Sequence, residues 1–248
     1  MAERGRMKIM LSKRKKIEIL EKAKAWWRDE LVISHKGNTL KLKSLTEFDI
    51  NPFLWSYLAY FLEGNNNPKS LARVLVYPRA LGTSINTIFG TRFQAFISRI
   101  FDDTFGSTTP GIDLEFIDQI DGRKKYCQIK AGPNVINHDD VATIKGHFRS
   151  AINMARTNHL PIQADDYLFC LLYGEPWQKN AFIKAVEEDY PVVIGKEFWY
   201  RFTGDPEFYK DLINAIGEVA NEFNMKKTVN SVINELSKEI KKKYTDIT

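Results

Sequence analysis

The spacing of apolar residues divides the chain into a helical first part, a centre that contains strands, and a helical final part. In the first hundred residues, apolar positions recur every three or four residues, which is the period of an amphipathic helix. Helices are therefore predicted over 12–33, 53–63, 69–76 and 84–105, with a turn at 35–38. From residue 195 onward the helical period returns in two apolar stripes.

The centre of the chain follows a different period. Residues 112–119 and 124–130 alternate polar and apolar positions around a turn, and two short apolar runs at 167–173 and 190–194 are typical of buried strands. Further helices are predicted over 138–156 and 178–188. This order of elements predicts an α/β fold, with a mixed β-sheet core flanked by helices and with helical N- and C-terminal regions.

Three regions are expected to pack together as one compact domain. They are a helical N-terminal region over 1–83, an α/β core over 84–204, and C-terminal helices over 205–248. A chain of 248 residues is long enough to bury such a core without disulfide bonds.

Composition narrows the functional classes. Apolar residues make up 44% of the chain and charged residues 27%, which is ordinary for a globular protein and argues against disorder. No apolar run approaches the roughly 20 residues of a membrane helix, and the basic N-terminus lacks the apolar segment of a secretory signal. A cytoplasmic protein is therefore expected. The pI of about 9.0 makes a polyanionic partner plausible.

A predicted β-hairpin brings together the residues that could perform chemistry. If residues 121–122 form a two-residue type I′ turn, Asp113 lies opposite Lys130 and Glu115 lies opposite Gln128. Side chains alternate between the two faces of a strand, so these four point to one face while the other face is apolar. An ordinary surface hairpin with salt bridges is the alternative interpretation. The turn at 131–134, which follows Lys130 and exposes the strand end, favours a functional site.

Two segments of this region resemble a known family. The segment PGIDLEF with Asp113, followed by QIK with Gln128 and Lys130, resembles the motif of the PD-(D/E)xK nuclease superfamily. The run 128–134 with Asn137, and the later run 195–199, are similar to segments of type II restriction endonucleases of the TdeIII/PmeII-like kind. The resemblance implies a restriction-endonuclease-like fold, with residues 84–204 as the nuclease core, and hydrolysis of duplex DNA at specific sites with Mg²⁺.

The resemblance also implies roles for individual residues. Asp113, Gln128 and Lys130 are the expected catalytic residues. The expected metal ligands are Asp113, Gln128, the backbone carbonyl of Ile129, and Glu115, which would supply charge because Gln128 replaces the usual acid. Gln94 stands where relatives often place a supporting helical glutamate. The two glutamines could instead mark an inactive relative.

DNA contacts are expected from the segment after the hairpin. Asn134, Asn137 and His138 lie on a predicted exposed turn. Lys145, His147 and Arg149 lie on the helix that follows, where Lys145 and Arg149 share one face. Simple solvent exposure is the alternative for these residues.

The partners follow from the same resemblance. A restriction enzyme that cuts a palindromic duplex needs two sites related by twofold symmetry, so a homodimer on double-stranded DNA is expected. The host is expected to carry a cognate DNA methyltransferase. Three other functions remain open: a repair or junction nuclease of the same superfamily, a catalytically inactive DNA-binding relative, and a basic interaction protein without a nucleic-acid role.

Overall fold

The computed structural model describes residues 11–101, 107, 109–223 and 225–244, except for the side chains of Phe93 and Gln94. Backbone contacts divide these residues into two compact units. The sheet unit contains 11–24 and 92–216, and the helical unit contains 25–91 and 217–244. The three boundaries between the units, after residues 24, 91 and 216, all fall inside helices. The division into regions 1–83, 84–204 and 205–248 stays a prediction.

Ten α-helices and four strands are present in the described residues. The strands are β1 (Leu114–Ile117), β2 (Lys124–Lys130), β3 (Tyr167–Leu171) and β4 (Val192–Ile194). The helices are α1 (Lys13–Trp26), α2 (Ile33–Lys41), α3 (Pro52–Glu63), α4 (Pro68–Pro78), α5 (Ser84–Ile100), α6 (His138–Thr157), α7 (Ala181–Glu187), α8 (Lys196–Thr203), α9 (Phe208–Glu222) and α10 (Met225–Lys243). No described helix has both the length and the apolar character that a membrane span requires.

The sheet is mixed and lies between two helical layers. Its strand order is β1-β2-β3-β4, with β1 antiparallel to β2 and the other neighbours parallel. On one face, Phe148 of α6 and Ile183 of α7 belong to the same buried cluster as Tyr167 of β3. On the other face, Phe116 of β1 packs edge-on against Phe202 of α8, with ring centroids 5.0 Å apart. The predicted α/β architecture is confirmed.

The helical unit has its own core, in which α3 and α4 pack with α10. Trp55 is buried and its indole N–H donates to the backbone oxygen of Leu71 at 3.0 Å. The stripe predicted for the C-terminal helix is buried in this core, at Val232, Leu236 and Ile240.

The predicted turn at 35–38 is wrong, because this segment is helical. A π-helical turn over Trp27–Val32 joins α1 directly to α2. Tertiary contacts stabilise the helix: the ring Nε2 of His35 lies 2.7 Å from the backbone oxygen of Ala80, and Thr39 is buried. Such contacts outweigh the weak turn preference of Gly37 and Asn38.

The hairpin between β1 and β2 is also connected differently from the prediction. Leu114 pairs with Cys127, which shifts the register by two residues from the predicted one. The two-residue turn at 121–122 is wrong: the Asp118 N–H donates to the oxygen of Arg123, which leaves a loop of four residues. Gly122 closes this loop with a φ of 70° and donates its N–H to the oxygen of Asp118. A shift of two residues keeps every side chain on its predicted face.

Candidate active site

The candidate site lies at the edge of the sheet where β1 begins and β2 ends. Asp113 immediately precedes β1, and Gln128, Ile129 and Lys130 are the last residues of β2. Because β1 is antiparallel to β2, the start of one strand lies beside the end of the other. Residues 15 to 17 positions apart in sequence therefore meet at one edge.

The carboxylate of Asp113 is bound to the backbone of the neighbouring strand. Its Oδ2 accepts a hydrogen bond from the Ile129 N–H at 2.8 Å, while its own N–H donates to the Cys127 oxygen at 2.8 Å. The N–H and C=O of one extended residue project from the same edge of a strand. The Ile129 carbonyl therefore projects toward β1, on the same edge as the Asp113 carboxylate.

Gln128 is buried beside this pair. Only 6% of the residue is exposed. Its Nε2 donates to the backbone oxygen of Gly111 and lies 2.6 Å from Nδ1 of His147 on α6. Both hydrogen bonds use the amide nitrogen, so Oε1 is the atom that remains for a metal or a water molecule.

Lys130 makes an ion pair across the sheet face. Its Nζ lies 3.3 Å from Oδ1 of Asp140 in the first turn of α6, and 38% of the lysine side chain is exposed. Asp140 also accepts a hydrogen bond from the Asn137 N–H at 2.9 Å. This backbone hydrogen bond, and after it the Lys130 ammonium, hold the pKa of the Asp140 carboxyl below its usual value.

Glu115 does not join this group. The predicted register paired Glu115 with Gln128, but in the structure Glu115 pairs with Tyr126. Its carboxylate forms an ion pair with Lys124 at 2.5 Å and accepts a hydrogen bond from Ser107. The hydrogen bond from Lys124 to this carboxylate is the largest cause that raises the pKa of Lys124. The described residues contain no group of three or more His, Cys, Asp or Glu side chains that could hold a metal ion. The Asp113 site instead combines one carboxylate with amide and carbonyl oxygens.

A family comparison agrees with this geometry. The family model of the type II restriction endonuclease EcoO109I matches residues 38–224, about three quarters of the chain, and the match includes the whole sheet. The chain belongs to the EcoO109I family of type II restriction endonucleases. No curated protein shows significant sequence similarity to the chain.

The DNA contacts predicted for this EcoO109I family member occupy different environments. Asn137 is the N-cap of α6, because its side-chain oxygen accepts hydrogen bonds from the N–H groups of Asp139 and Asp140. Lys145 forms an ion pair with Asp189 at 2.6 Å. The other three residues are exposed: Asn134, His138 and Arg149. The side chain of Gln94 lies outside the described residues.

Sequence reasoning did not predict the contacts that three further residues make in the site. Gly111 and His147 contact Gln128 only in the folded structure, and no local sequence pattern predicts these contacts. Asp140 did have a signal: an Asn followed three residues later by an acid is a capping box at the start of a helix. That box fixes the first turn of α6 beside the end of β2.

Proposed function

We propose that this restriction-endonuclease family member hydrolyses phosphodiester bonds in double-stranded DNA at specific sequences, with Mg²⁺ as cofactor and the PD-(D/E)xK arrangement at its catalytic centre. The observation that carries the proposal is the Asp113 carboxylate, bonded to the Ile129 N–H at the strand end from which Lys130 emerges. Asp113, Gln128 and Lys130 are the proposed catalytic residues.

The donors at this edge fit a magnesium ion. Mg²⁺ prefers oxygen ligands and usually keeps several waters, so it needs few protein groups. Asp113 offers the carboxylate oxygen that Ile129 does not occupy, Ile129 offers its carbonyl, and Gln128 offers Oε1. Glu115 remains an additional candidate only if it gives up its ion pair with Lys124. When bound, Mg²⁺ would neutralise charge on the phosphate and acidify a water molecule.

Lys130 is proposed to orient the attacking water and to offset charge on the scissile phosphate. An ammonium group with three donors suits both tasks. Its partial exposure leaves it accessible to a phosphate, and its present partner, Asp140, has Oδ2 engaged by the Asn137 N–H. Asp140 thus stays hydrogen-bonded when Lys130 turns to DNA.

Substitution of the two charged residues tests the assignment. Asp113→Ala and Lys130→Ala should each abolish Mg²⁺-dependent cleavage of a sequenced phage DNA, because each removes a group that acts at the phosphate. Both variants should still bind the DNA in Ca²⁺. Asp165→Ala and Lys184→Ala, which alter exposed side chains outside the site, serve as matched controls and should cut normally. Cleavage at the wild-type rate by either site variant would refute the catalytic roles of Asp113 and Lys130.

The same digestion separates the proposed function from its alternatives. Mapped ends at one short sequence support a restriction enzyme, and GC-rich sites such as GGNCC are the first to examine. Ends scattered over the genome or confined to branched DNA favour a repair or junction nuclease. If the protein binds DNA but leaves it uncut both in Mg²⁺ and in EDTA, the result favours an inactive relative. Asn134, His138 and Arg149 are the exposed residues proposed to contact the DNA.

A homodimer is proposed because both DNA strands must be cut at a symmetric site.

One helix of the helical unit carries an unusually apolar surface. The exposed residues on α3 are Phe53 (87%), Leu54, Tyr57, Leu58, Tyr60, Phe61 (76%) and Leu62. Since a free aromatic side chain offers roughly 150–250 Å², these residues expose about 800 Å². That exceeds the usual patch on a monomer and equals one side of a standard interface.

We assign a second copy of this chain to the α3 surface, because the surface is large enough for a stable dimer and carries almost no charge for a polar partner. Phe53→Asp combined with Phe61→Asp should convert the dimer to a monomer in sedimentation-velocity measurements. Leu81→Asp changes an exposed leucine outside α3 and should leave the dimer intact. A wild-type monomer at micromolar concentration, or a dimer that survives the double substitution, would exclude this surface.

Two consequences concern the cell. A site-specific nuclease in the cytoplasm would meet the host chromosome, so a cognate DNA methyltransferase is proposed to protect the same sequence. Expression of the wild-type chain without such protection should damage host DNA, whereas expression of Asp113→Ala should be harmless. Equal induction of the SOS response to DNA damage in both strains would contradict this expectation.

A further inference from the structure

Two hydrogen-bond acceptors converge on the amide nitrogen of Gln128, the residue that stands where the restriction-enzyme motif usually has an acid. They are the backbone oxygen of Gly111 and the Nδ1 of His147, the latter at 2.6 Å. Since Gln128 is almost entirely buried, these partners and not bulk water satisfy its N–H groups.

The Gly111 oxygen fixes the orientation of the amide. A carbonyl oxygen can only accept, so the reversed amide would place two oxygens against each other. One N–H of Gln128 is therefore directed to Gly111 and the other to His147. The Nδ1 of His147 accepts this bond, which means that the ring proton is on Nε2.

The chain leaves room for this arrangement at residue 111. Gly111 has a φ of 80°, and a Cβ at this position would lie 2.4 Å from Cγ of His147. Any larger residue would displace the imidazole ring. The position of His147 is also fixed by its neighbour in α6, because Phe148 is fully buried against the sheet.

We propose that position 128 is built for an amide and not for a carboxylate, and that His147 is a positioning residue that holds the Gln128 amide with Oε1 free for the metal. The metal part of this inference rests on the proposed function, whereas the preference for an amide rests on the contacts alone. A glutamate at 128 would place a carboxylate oxygen against the Gly111 carbonyl oxygen with no hydrogen between them, and it could bond to His147 only if the ring proton moved from Nε2 to Nδ1. The contacts of Gln128 therefore favour an amide at this position.

Restoring the usual acid is the first test. In the absence of metal, Gln128→Glu should lower the Tm by about 4–10 °C, because a buried carboxylate oxygen would face the Gly111 carbonyl oxygen without a hydrogen between them. The matched control is Gln178→Glu, since Gln178 uses its amide oxygen to accept from the Glu175 N–H, a role that a carboxylate can keep. That control should shift the Tm by less than about 1 °C. An unchanged or higher Tm for Gln128→Glu would overturn the proposal.

Substitution of His147 is the second test. His147→Phe keeps the ring but removes the acceptor, and it should weaken Ca²⁺ binding about tenfold in calorimetric titrations, the usual effect of losing a partner of a metal ligand. His147→Asn retains an acceptor near the position of Nδ1 and should stay within about threefold of the wild type.

A spectroscopic measurement separates positioning from general destabilisation. The side-chain amide protons of Gln128 should exchange slowly with water in the wild type and in His147→Asn, and rapidly in His147→Phe. Equal Ca²⁺ affinity and equal amide exchange in the wild type and His147→Phe would remove His147 from this role. If the wild type binds no Ca²⁺, the proposed metal site fails, while the Tm of Gln128→Glu and the amide exchange still decide whether position 128 requires an amide.

Discussion

The loop that closes the β1–β2 hairpin depends on one buried carboxylate, Asp118, and its removal is a demanding test of the structure. Asp118 is fully buried. Its Oδ1 accepts from the Ile120 N–H at 2.8 Å, and its Oδ2 accepts from Nη1 of Arg201 on α8 at 2.9 Å. Burial disfavours the charged form of the Arg201 guanidinium, but its hydrogen bonds to Asp118 and Glu197 outweigh burial and raise its pKa.

The expected cost of Asp118→Ala follows from these contacts. Breaking a buried ion pair typically costs about 3–5 kcal/mol, but Arg201 is 30% exposed and can turn to water, which reduces the loss. We expect a decrease of about 2–4 kcal/mol in the free energy of unfolding, or about 5–15 °C in Tm. Asp118→Asn retains an oxygen for the Ile120 N–H but replaces the acceptor for Arg201 with an amide NH2 donor, so it should cost less than Asp118→Ala only as far as the guanidinium turns to water.

Amide hydrogen exchange of the hairpin measures the effect at its source. Protection of the segment 114–130 should fall in Asp118→Ala, and the double variant with Arg201→Met should cost less than the two single variants together. Asp165→Ala removes an exposed carboxylate near the same loop and is the control. A loss below about 0.5 kcal/mol, typical of a surface site, would show that Asp118 does not hold this loop.

Three further predictions concern the end of β4 and two residues of α6. Gly195→Ala should cost more than about 3 kcal/mol in urea unfolding, since φ is 53° and the new Cβ would lie 2.2 Å from the Gly174 oxygen; Gly217→Ala, in the open helical surface of α9, should be neutral or stabilising, and equal effects of both would contradict this reason. The lowered pKa of Asp140 contributes stability above the ordinary carboxyl pKa of about 4, and the contribution is lost as the pH falls through the lowered value. The stability difference between the wild type and Asp140→Asn should therefore be constant from about pH 5 to 8 and shrink below about pH 4, and a difference that grows on acidification would be inconsistent with this sign. Arg149→Ala should reduce the salt dependence of DNA affinity by about one charge, and Lys145→Ala by less, because Lys145 must first leave Asp189; an unchanged slope in Arg149→Ala removes it from the phosphate contacts.

Much of the sheet unit could be predicted from local sequence patterns. Alternation over 124–130 predicted β2 with its correct limits, and the apolar run beginning at Tyr167 predicted β3. The face on which each hairpin residue lies was also predictable, because it depends only on whether positions are odd or even. The pairing was not, since the loop is closed by Asp118 and its partner Arg201 lies 83 residues further along the chain.

The candidate site shows the same division. Asp113 and Lys130 were predicted to meet because they belong to one hairpin, although Lys130 is paired with Asp140 and not placed directly opposite Asp113. The environment of Gln128 depends on Gly111 and His147, which reach it through the turn before β1 and through the packing of α6. Contacts between elements that are distant in sequence produce no local pattern of residues. They therefore cannot be predicted from the periodicity of a single sequence.

Asp140 joins two tasks that are usually separate, because one oxygen of its carboxylate caps the start of a helix and the other receives an ammonium group. When a phosphate draws Lys130 away, the acid remains anchored to the Asn137 amide and partly open to solvent. No lone buried charge is created by the exchange. In the proposed mechanism, Lys130 would therefore alternate between Asp140 and a DNA phosphate at small energetic cost, so that its release from Asp140 need not limit turnover.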